Sequence, residues 1–452
     1  MEGKGSHAAL GTENIWHLLL QYAIPSVIAM TAASLYNITD SIFIGHGVGA
    51  LAISGLAITF PLMNLAAAFG AMVGVGASTL MSLRLGQKDY STANHILGNV
   101  FILNLVLGSA YTVVILLFLK PILFFFGASH ETIGYAYDYM VIITLGNVIT
   151  HMYLGLNALL RATGNPKKSM YATIFSVMIN AILAYLFIFI FGWGIRGAAF
   201  ATVIAQASML VWQIRLFSDR AHFIHLQKES FTLKLKIVKD SLAIGMAPFL
   251  MNTAGCVIVI LINKGLIAHG GDLHVGAYGI INRMAFLFAM VVMGLNQGMQ
   301  PVAGYNFGAG QIERVNRVLR YTILLATAVM TIGFFISEFL PHVVASAFTK
   351  DQKLTELVIP GLRIVFIFSP IVGFQMVTSN FFQSLGMAHK AIFMSLSRQV
   401  IILLPCLLIL PHFFGVNGVW VSIPVADLLS TILAAYLLIH HYKKSKTTYK
   451  YL

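Results

Sequence analysis

Runs of roughly twenty uninterrupted apolar residues recur along the whole chain, and each is long enough to cross a bilayer as a helix. About twelve can be marked by this length criterion. The first six lie near Trp16–Ile44, Ala50–Leu83, His95–Leu119, Tyr135–Leu160, Met170–Phe191 and Gly197–Phe217. The second six lie near Ser241–Ala268, Val275–Ala303, Asn316–Leu340, Glu356–Leu385, Ala391–His412 and Val416–His440. The runs are continuous rather than alternating, which removes the closed barrel, the other way to satisfy a backbone in lipid. Composition agrees, with 58% hydrophobic and only 10% charged residues. The expected class is an all-α membrane protein of twelve transmembrane helices. The N-terminal tail carries Glu2 and Glu13 and no clean basic stretch, and the first run is too long for a signal-peptide core, so it reads as a retained first helix. Cys256 and Cys406 fall inside apolar runs and read as small buried hydrophobes, not as a disulfide framework.

A net charge of +13 could suggest nucleic acid, but its distribution points elsewhere. Most Lys and Arg fall at the termini and in the even-numbered connections: Arg84 and Lys88, Arg161 to Lys168, Arg215 to Lys239, Arg314 to Arg320, Lys390 and Arg398, and Lys443 to Lys450. Few fall in the odd-numbered ones. Excess positive charge marks the cytoplasmic side, so both termini are expected inside, with some attraction to anionic lipid heads.

The second half echoes the first at an offset of about 222. Gly76 falls on Gly298, Gly86 on Gly308, Asn94 on Asn316, and Arg161-Ala162-Thr163-Gly164 on Gln383-Ser384-Leu385-Gly386. Six spans per half is an even number, so both halves enter from the same face. A pseudo-two-fold axis along the membrane normal should relate them, as in transporters built from parallel repeats. The expected organisation is an N-terminal lobe (1–217), a cytoplasmic inter-lobe linker (218–240), a C-terminal lobe (241–442) and a basic cytoplasmic tail (443–452).

No His-Glu-x-x-His, Walker loop or Gly-x-Ser-x-Gly is present, which argues against an enzyme and against an ATP-driven pump. What remains is a set of polar residues at membrane depth. Asp40 leads it, because a carboxylate there costs several kcal/mol unless it meets water, a partner or a cation. Tyr36, Asn37 and Asp40 share one helix face. Asn157, Gln206, Asn282 and Arg283 are further candidates for a substrate cavity, although Arg283 also suits snorkelling. Asp427, whose repeat partner is Gln206, reads as a buried tie between helices or a second functional carboxylate. Pro25 marks a bend in the first helix.

Together these residues resemble the MATE family, the multidrug and toxic compound extrusion transporters, with a likeness to its MepA-like bacterial branch. The resemblance rests on the two six-helix halves, Pro25, Tyr36-Asn37-x-x-Asp40-x-x-Phe43-Ile44-Gly45, the Gly86-Gln87 and Gly308-x-Gly310 loops, and Arg161-Ala162-x-Gly164-Asn165-Pro166. It implies a V-shaped pair of lobes exchanging organic cations for Na⁺ or H⁺. It also implies a cation or proton site at Asp40, Asn180 and Thr202, the same three being metal ligands if the ion is Na⁺. Ala184 stands where some members carry another oxygen ligand, and Asn252-Thr253-Ala254-Gly255-Cys256 where some carry a carboxylate. The reading is a monomeric multidrug antiporter of the bacterial inner membrane, exporting amphiphilic or cationic small molecules without a cofactor beyond the coupling ion. The alternative is a flippase for lipid-linked saccharides, whose anionic carriers would want more basic residues within the spans than Arg283 and Arg363.

Overall fold

Hydrocarbon leaves every backbone amide to find its partner inside the chain, and helices do this locally. A computed structural model of the protein describes residues 9–220, 223–349 and 351–448; the side chains of Asn37, Ala50, Asp272 and residues 444–448 are outside the described set. Ten helices are individually long and apolar enough to span. These are α1 (Ile15–Gly47), α2 (Ala50–Gly86), α3 (Tyr90–Phe125), α5 (Pro166–Tyr185, running on to Ile190), α6 (Gly194–Ser218), α7 (Leu235–Gly270), α8 (Asp272–Gly308), α9 (Ile312–Phe339), α11 (Ala388–Phe414) and α12 (Val416–Thr448). Two bent pairs make the other spans: α4 (Ile133–Leu145 with Asn147–Ala162, bent by 55°) and α10 (Gln352–Phe366 with Ser369–Ser384, bent by 52°).

Local chemistry sets several of these ends. Asn14 caps α1 by accepting the Trp16 amide at 2.9 Å. Asp89 does the same for α3 from Thr92 at 3.0 Å, and Pro166 opens α5 at a position where no amide is needed. The bends in α4 and α10 fall at Gly146 and near Phe368, equivalent positions in the repeat, where the sequence suggests unbroken spans. Pro121 is preceded by non-helical geometry at Phe118, whereas α1 stays helical through Pro25. Helix α7 begins at Leu235, earlier than the expected lobe boundary near Ser241, and α12 runs on into the expected tail as far as Thr448. Arg398 lies within α11, in a π-helical stretch from Ser397 to Leu403, and not in a basic loop.

The lobes meet through glycines, and the repeat pairs them. A Cβ on Gly76 of α2 would sit 1.9 Å from Ser241 O and 3.1 Å from Gly245 N of α7. Its counterpart Gly298 of α8 would press on Ala23 and Tyr22 of α1 at 2.5–2.9 Å. Gly86 meets Tyr305 and Ala309, and its counterpart Gly308 meets Leu83, the repeat position of Tyr305. So α1 packs on α8 as α7 packs on α2. These contacts lie towards the end of the bundle that carries the basic connections.

Two polar straps cross the same end. The 219–234 connection, expected as a solvated strap, is docked on α3. Asn94 donates to Phe223 O at 3.2 Å and accepts from the His225 amide at 3.0 Å. Asn99 donates to Thr232 O and accepts from the Lys234 amide, at 3.0 and 3.1 Å. Gly98 lets Ser230 lie against the helix. In the other direction, Arg314 at the start of α9 donates to Leu10 O, Glu13 O and Asn306 Oδ1 at 3.0, 2.8 and 2.7 Å. Each lobe's leading segment is thereby fastened to the opposite lobe. The Gly298→Leu variant should be destabilised by about 1–3 kcal/mol through overpacking against α1. Gly279→Ala on the same helix, where an added Cβ meets nothing within 4 Å, should be tolerated. Thermal unfolding in detergent distinguishes them, and equal behaviour would remove the glycine contact as the cause.

Candidate functional site

Four helices of the first lobe converge on Asp40. The carboxylate projects from α1 about two turns before its C-terminal end and is 5% exposed. Its Oδ1 meets no hydrogen-bond partner among the described residues, and none of the ion pairs among them involves it. One turn earlier, Tyr36 Oη lies 2.7 Å from Thr202 Oγ1 on α6. Asn180 on α5 donates its Nδ2 to the same oxygen at 3.1 Å. The Thr202 hydroxyl donates to Ala198 O at 3.1 Å. Its single proton is therefore committed, so Tyr36 must be the donor, and the Thr202 oxygen accepts twice. Tyr139 of α4, buried, completes the site within electrostatic reach of Asp40 and Tyr36.

The surroundings are apolar. Ile44, Ala184, Phe187 and Ala198 belong to one buried cluster around the outer part of this lobe. Ala184 is fully buried and contributes no oxygen. An ionised carboxylate in such surroundings is costly, and a proton or a bound cation relieves that cost. For a cation, Asp40 supplies oxygen directly and Asn180 Oδ1 remains available. Thr202 is engaged as a hub by three hydrogen bonds, so its oxygen would have to give up a donor to act as a ligand.

The structure thus brings Asp40, Tyr36, Asn180 and Thr202 together. Gln206 stands one turn beyond Thr202 on α6, and the remaining described candidates lie elsewhere. Asn157 donates to Thr173 at 3.0 Å, further towards the basic end beside Arg161 and Ser169. Gln206 accepts a hydrogen bond from Thr150. Asn282 and Arg283 are exposed on α8, in the other lobe. The side chain of Asn37 is outside the described residues. Tyr139 was missed by the sequence reading, since a tyrosine in an apolar run carries no signal of its own. The second buried carboxylate is settled differently. Asp427 on α12 receives Arg398 Nε at 2.7 Å, with side chains 5% and 30% exposed.

The MatE family model matches residues 25–186 and 244–408, one stretch in each lobe. The chain belongs to the MATE family of membrane transporters. Among MATE-family relatives, the multidrug export protein MepA of Staphylococcus haemolyticus (strain JCSC1435) is 26% identical over 424 residues, covering 94% of this chain and 93% of that protein. A crystal structure of a MATE transporter in the bent conformation superposes with a TM-score of 0.92 at 24% identity, covering 99% of each chain. An outward-facing MATE transporter of the MOP superfamily gives 0.90 at 24% identity, covering 98% and 100%. Those two likenesses establish the fold of this MATE chain as two six-helix lobes.

Two substitutions test the wiring. Thr202→Val leaves the Tyr36 hydroxyl and the Asn180 amide without their acceptor, and should cost about 1–3 kcal/mol, with Thr202→Ser restoring most of it. Asp427→Asn should lower stability by about 2 kcal/mol, after discounting for the part-exposure of Arg398, and Arg398→Gln in the same chain should recover part of that loss. Thermal unfolding reads both, and additive losses in the double variant would show that the two residues act independently.

Proposed function

We propose that this MATE transporter is a secondary antiporter that exports amphiphilic, cationic small molecules in exchange for a coupling ion held at Asp40. The observation that carries the reading is a buried carboxylate whose Oδ1 meets no partner among the described residues, set among Tyr36, Asn180, Thr202 and Tyr139. Export is supported by the multidrug export relatives and by a site that offers a carboxylate, not a cation, to an incoming positive charge. The same feature disfavours a flippase for anionic saccharide carriers.

Between the two ions, the geometry favours H⁺. Na⁺ wants several oxygen ligands, whereas a proton needs one carboxylate. Thr202 is occupied by its three hydrogen bonds, and Ala184 removes a further oxygen.

By the positive-inside rule the proposed orientation has the basic end and both termini in the cytoplasm of a bacterial cell, and the proposed working unit is a monomer in the inner membrane. The glycine contacts and the two straps then close the cytoplasmic side, which corresponds to an outward-facing state. Protonation of Asp40 from outside would remove its charge from the apolar pocket and let the α1 face bearing Tyr36 repack against α5 and α6. With Pro25 interrupting the hydrogen-bond ladder of α1, that helix is the one that yields, and the cavity of the first lobe contracts on its substrate. Exchanging one H⁺ for one monovalent cation moves no net charge, so the pH difference drives the step: each pH unit supplies about 1.4 kcal/mol, enough to hold roughly a tenfold gradient.

Right-side-out vesicles loaded with a panel of fluorescent cations give the test. Efflux should follow an imposed pH gradient in Na⁺-free buffer. Asp40→Asn should abolish it while the protein still reaches the membrane, and Asn180→Ala should reduce it less. Strict dependence on Na⁺, or equal loss in both variants, would instead assign a sodium site to Asp40 and Asn180. Full transport by Asp40→Asn would sink the coupling role altogether.

A further inference from the structure

We infer that the first lobe contains an internal water site in the seam between α3 and α4, away from Asp40, with His151 as its central ligand. His151 is fully buried near the middle of α4. Its Nε2 lies 2.8 Å from Ala66 O of α2. A carbonyl only accepts, so Nε2 carries the hydrogen and Nδ1 presents a lone pair. No donor meets that lone pair among the described residues.

His151 is not alone in this. One turn earlier on α4, the Nδ2 of Asn147 has no acceptor, and at the bend before it Thr144 Oγ1 is likewise unmet. Across the seam on α3, Asn104 is fully buried with both its amide atoms unmet. These four side chains are each at least 98% buried. The seam is cut to hold them. A Cβ on Gly155 would lie 2.6 Å from Asn104 Nδ2, and one on Gly108 would lie 3.4 Å from His151 Nδ1. Gly155 therefore stands where any other residue would press on Asn104, while Gly108 lies in contact distance of His151 and close against Val148.

Leaving one buried polar atom unmet costs about 1–3 kcal/mol, and a row of them on facing helices would be a severe penalty for no gain. Water resolves it, because one molecule both donates and accepts. A water donating to His151 Nδ1 can accept from Asn104 or Asn147 with its own oxygen, and a buried water holding two to four such partners is ordinary in proteins. Among the described residues no second protein side chain supplies that pairing. Tyr111 of α3, whose ring centroid lies 6.4 Å from that of His151, has already given its hydroxyl to Leu62 O at 2.9 Å. The consequence is a hydrated interior within the lobe that also carries Asp40.

Radiolytic hydroxyl-radical labelling of the full chain in lipid nanodiscs tests this, because radicals formed from bound water mark the side chains beside it. Tyr111 is buried, and its labelling should exceed by about tenfold that of Phe382, which is buried in the other lobe. In His151→Phe the labelling of Tyr111 should fall towards the Phe382 level, with the pattern elsewhere unchanged. Labelling of Tyr111 at the Phe382 level in the unaltered protein, or labelling that His151→Phe leaves undiminished, would overturn the proposal. Melting of Asn104→Leu gives an independent arm that needs no labelling. A hydrated seam loses a water partner and the Tm falls, whereas a dry seam sheds two unmet atoms and the Tm rises, which would also overturn it.

Discussion

The architecture depends on two backbones being able to touch. In lipid, apolar side chains gain little by leaving their solvent, so helices associate where close packing is possible, and small residues make it so. Gly76 and Gly298 bring α2 onto α7 and α8 onto α1, and the repeat makes these one contact used twice. Gly86 and Gly308 repeat the device at the turn that follows. Side chains at these positions would push the lobes apart at the end where they are joined. The choice of glycine is thus a statement about the lobe interface and not about helix propensity, which glycine lowers.

Polar side chains complete what the glycines begin. Asn94 and Asn99 each offer an amide that mimics a peptide group, and each satisfies one carbonyl and one N–H of the connecting segment. A connecting stretch with a single 3-10 turn, Lys228–Phe231, among its described residues is thereby paired on either side of that turn. Arg314 and Asn306 do the reciprocal task for the carbonyls of Leu10 and Glu13. These ties are directional and water can replace them, whereas the glycine contacts are tolerant of sliding. An interface built from both can be tight in one state and still come apart.

Much of this was legible before any coordinates, and the reasons are physical. Span length, the sorting of Lys and Arg, and the 222-residue echo are set by the bilayer and by duplication, so they survive in one-dimensional form. Asp40 stood out because a carboxylate in an apolar run has few bland explanations. The bends at Gly146 and Phe368 did not, since apolar residues continue across both and a search by span length passes over the Gly146 and Ser369-Pro370 that mark them. The docking of 219–234 was hidden for another reason. Its partners are asparagines on α3, and an asparagine holding a loop reads the same in sequence as one holding a neighbouring helix. Arg398 looked like a loop cation because its charge was counted by position; only the adjacency of α11 and α12 shows it to be the partner of Asp427.

The duplication of shape was not a duplication of charge. At the repeat offset, the position of Asp40 is occupied by Ile262, buried in the second lobe. Isoleucine also stands opposite Asn180 and Thr202, at 401 or 402 and at 423. The second lobe's own carboxylate, Asp427, is already neutralised by Arg398. A proton or cation arriving at the second lobe would have to compete with a guanidinium 2.7 Å away, whereas at Asp40 it meets no cationic side chain among the described ion pairs. On the proposed mechanism this asymmetry has a direct consequence. Only the first lobe changes its electrostatic state with the coupling ion, so it deforms, while the second lobe, with its charge internally balanced, serves as the rigid wall against which it moves.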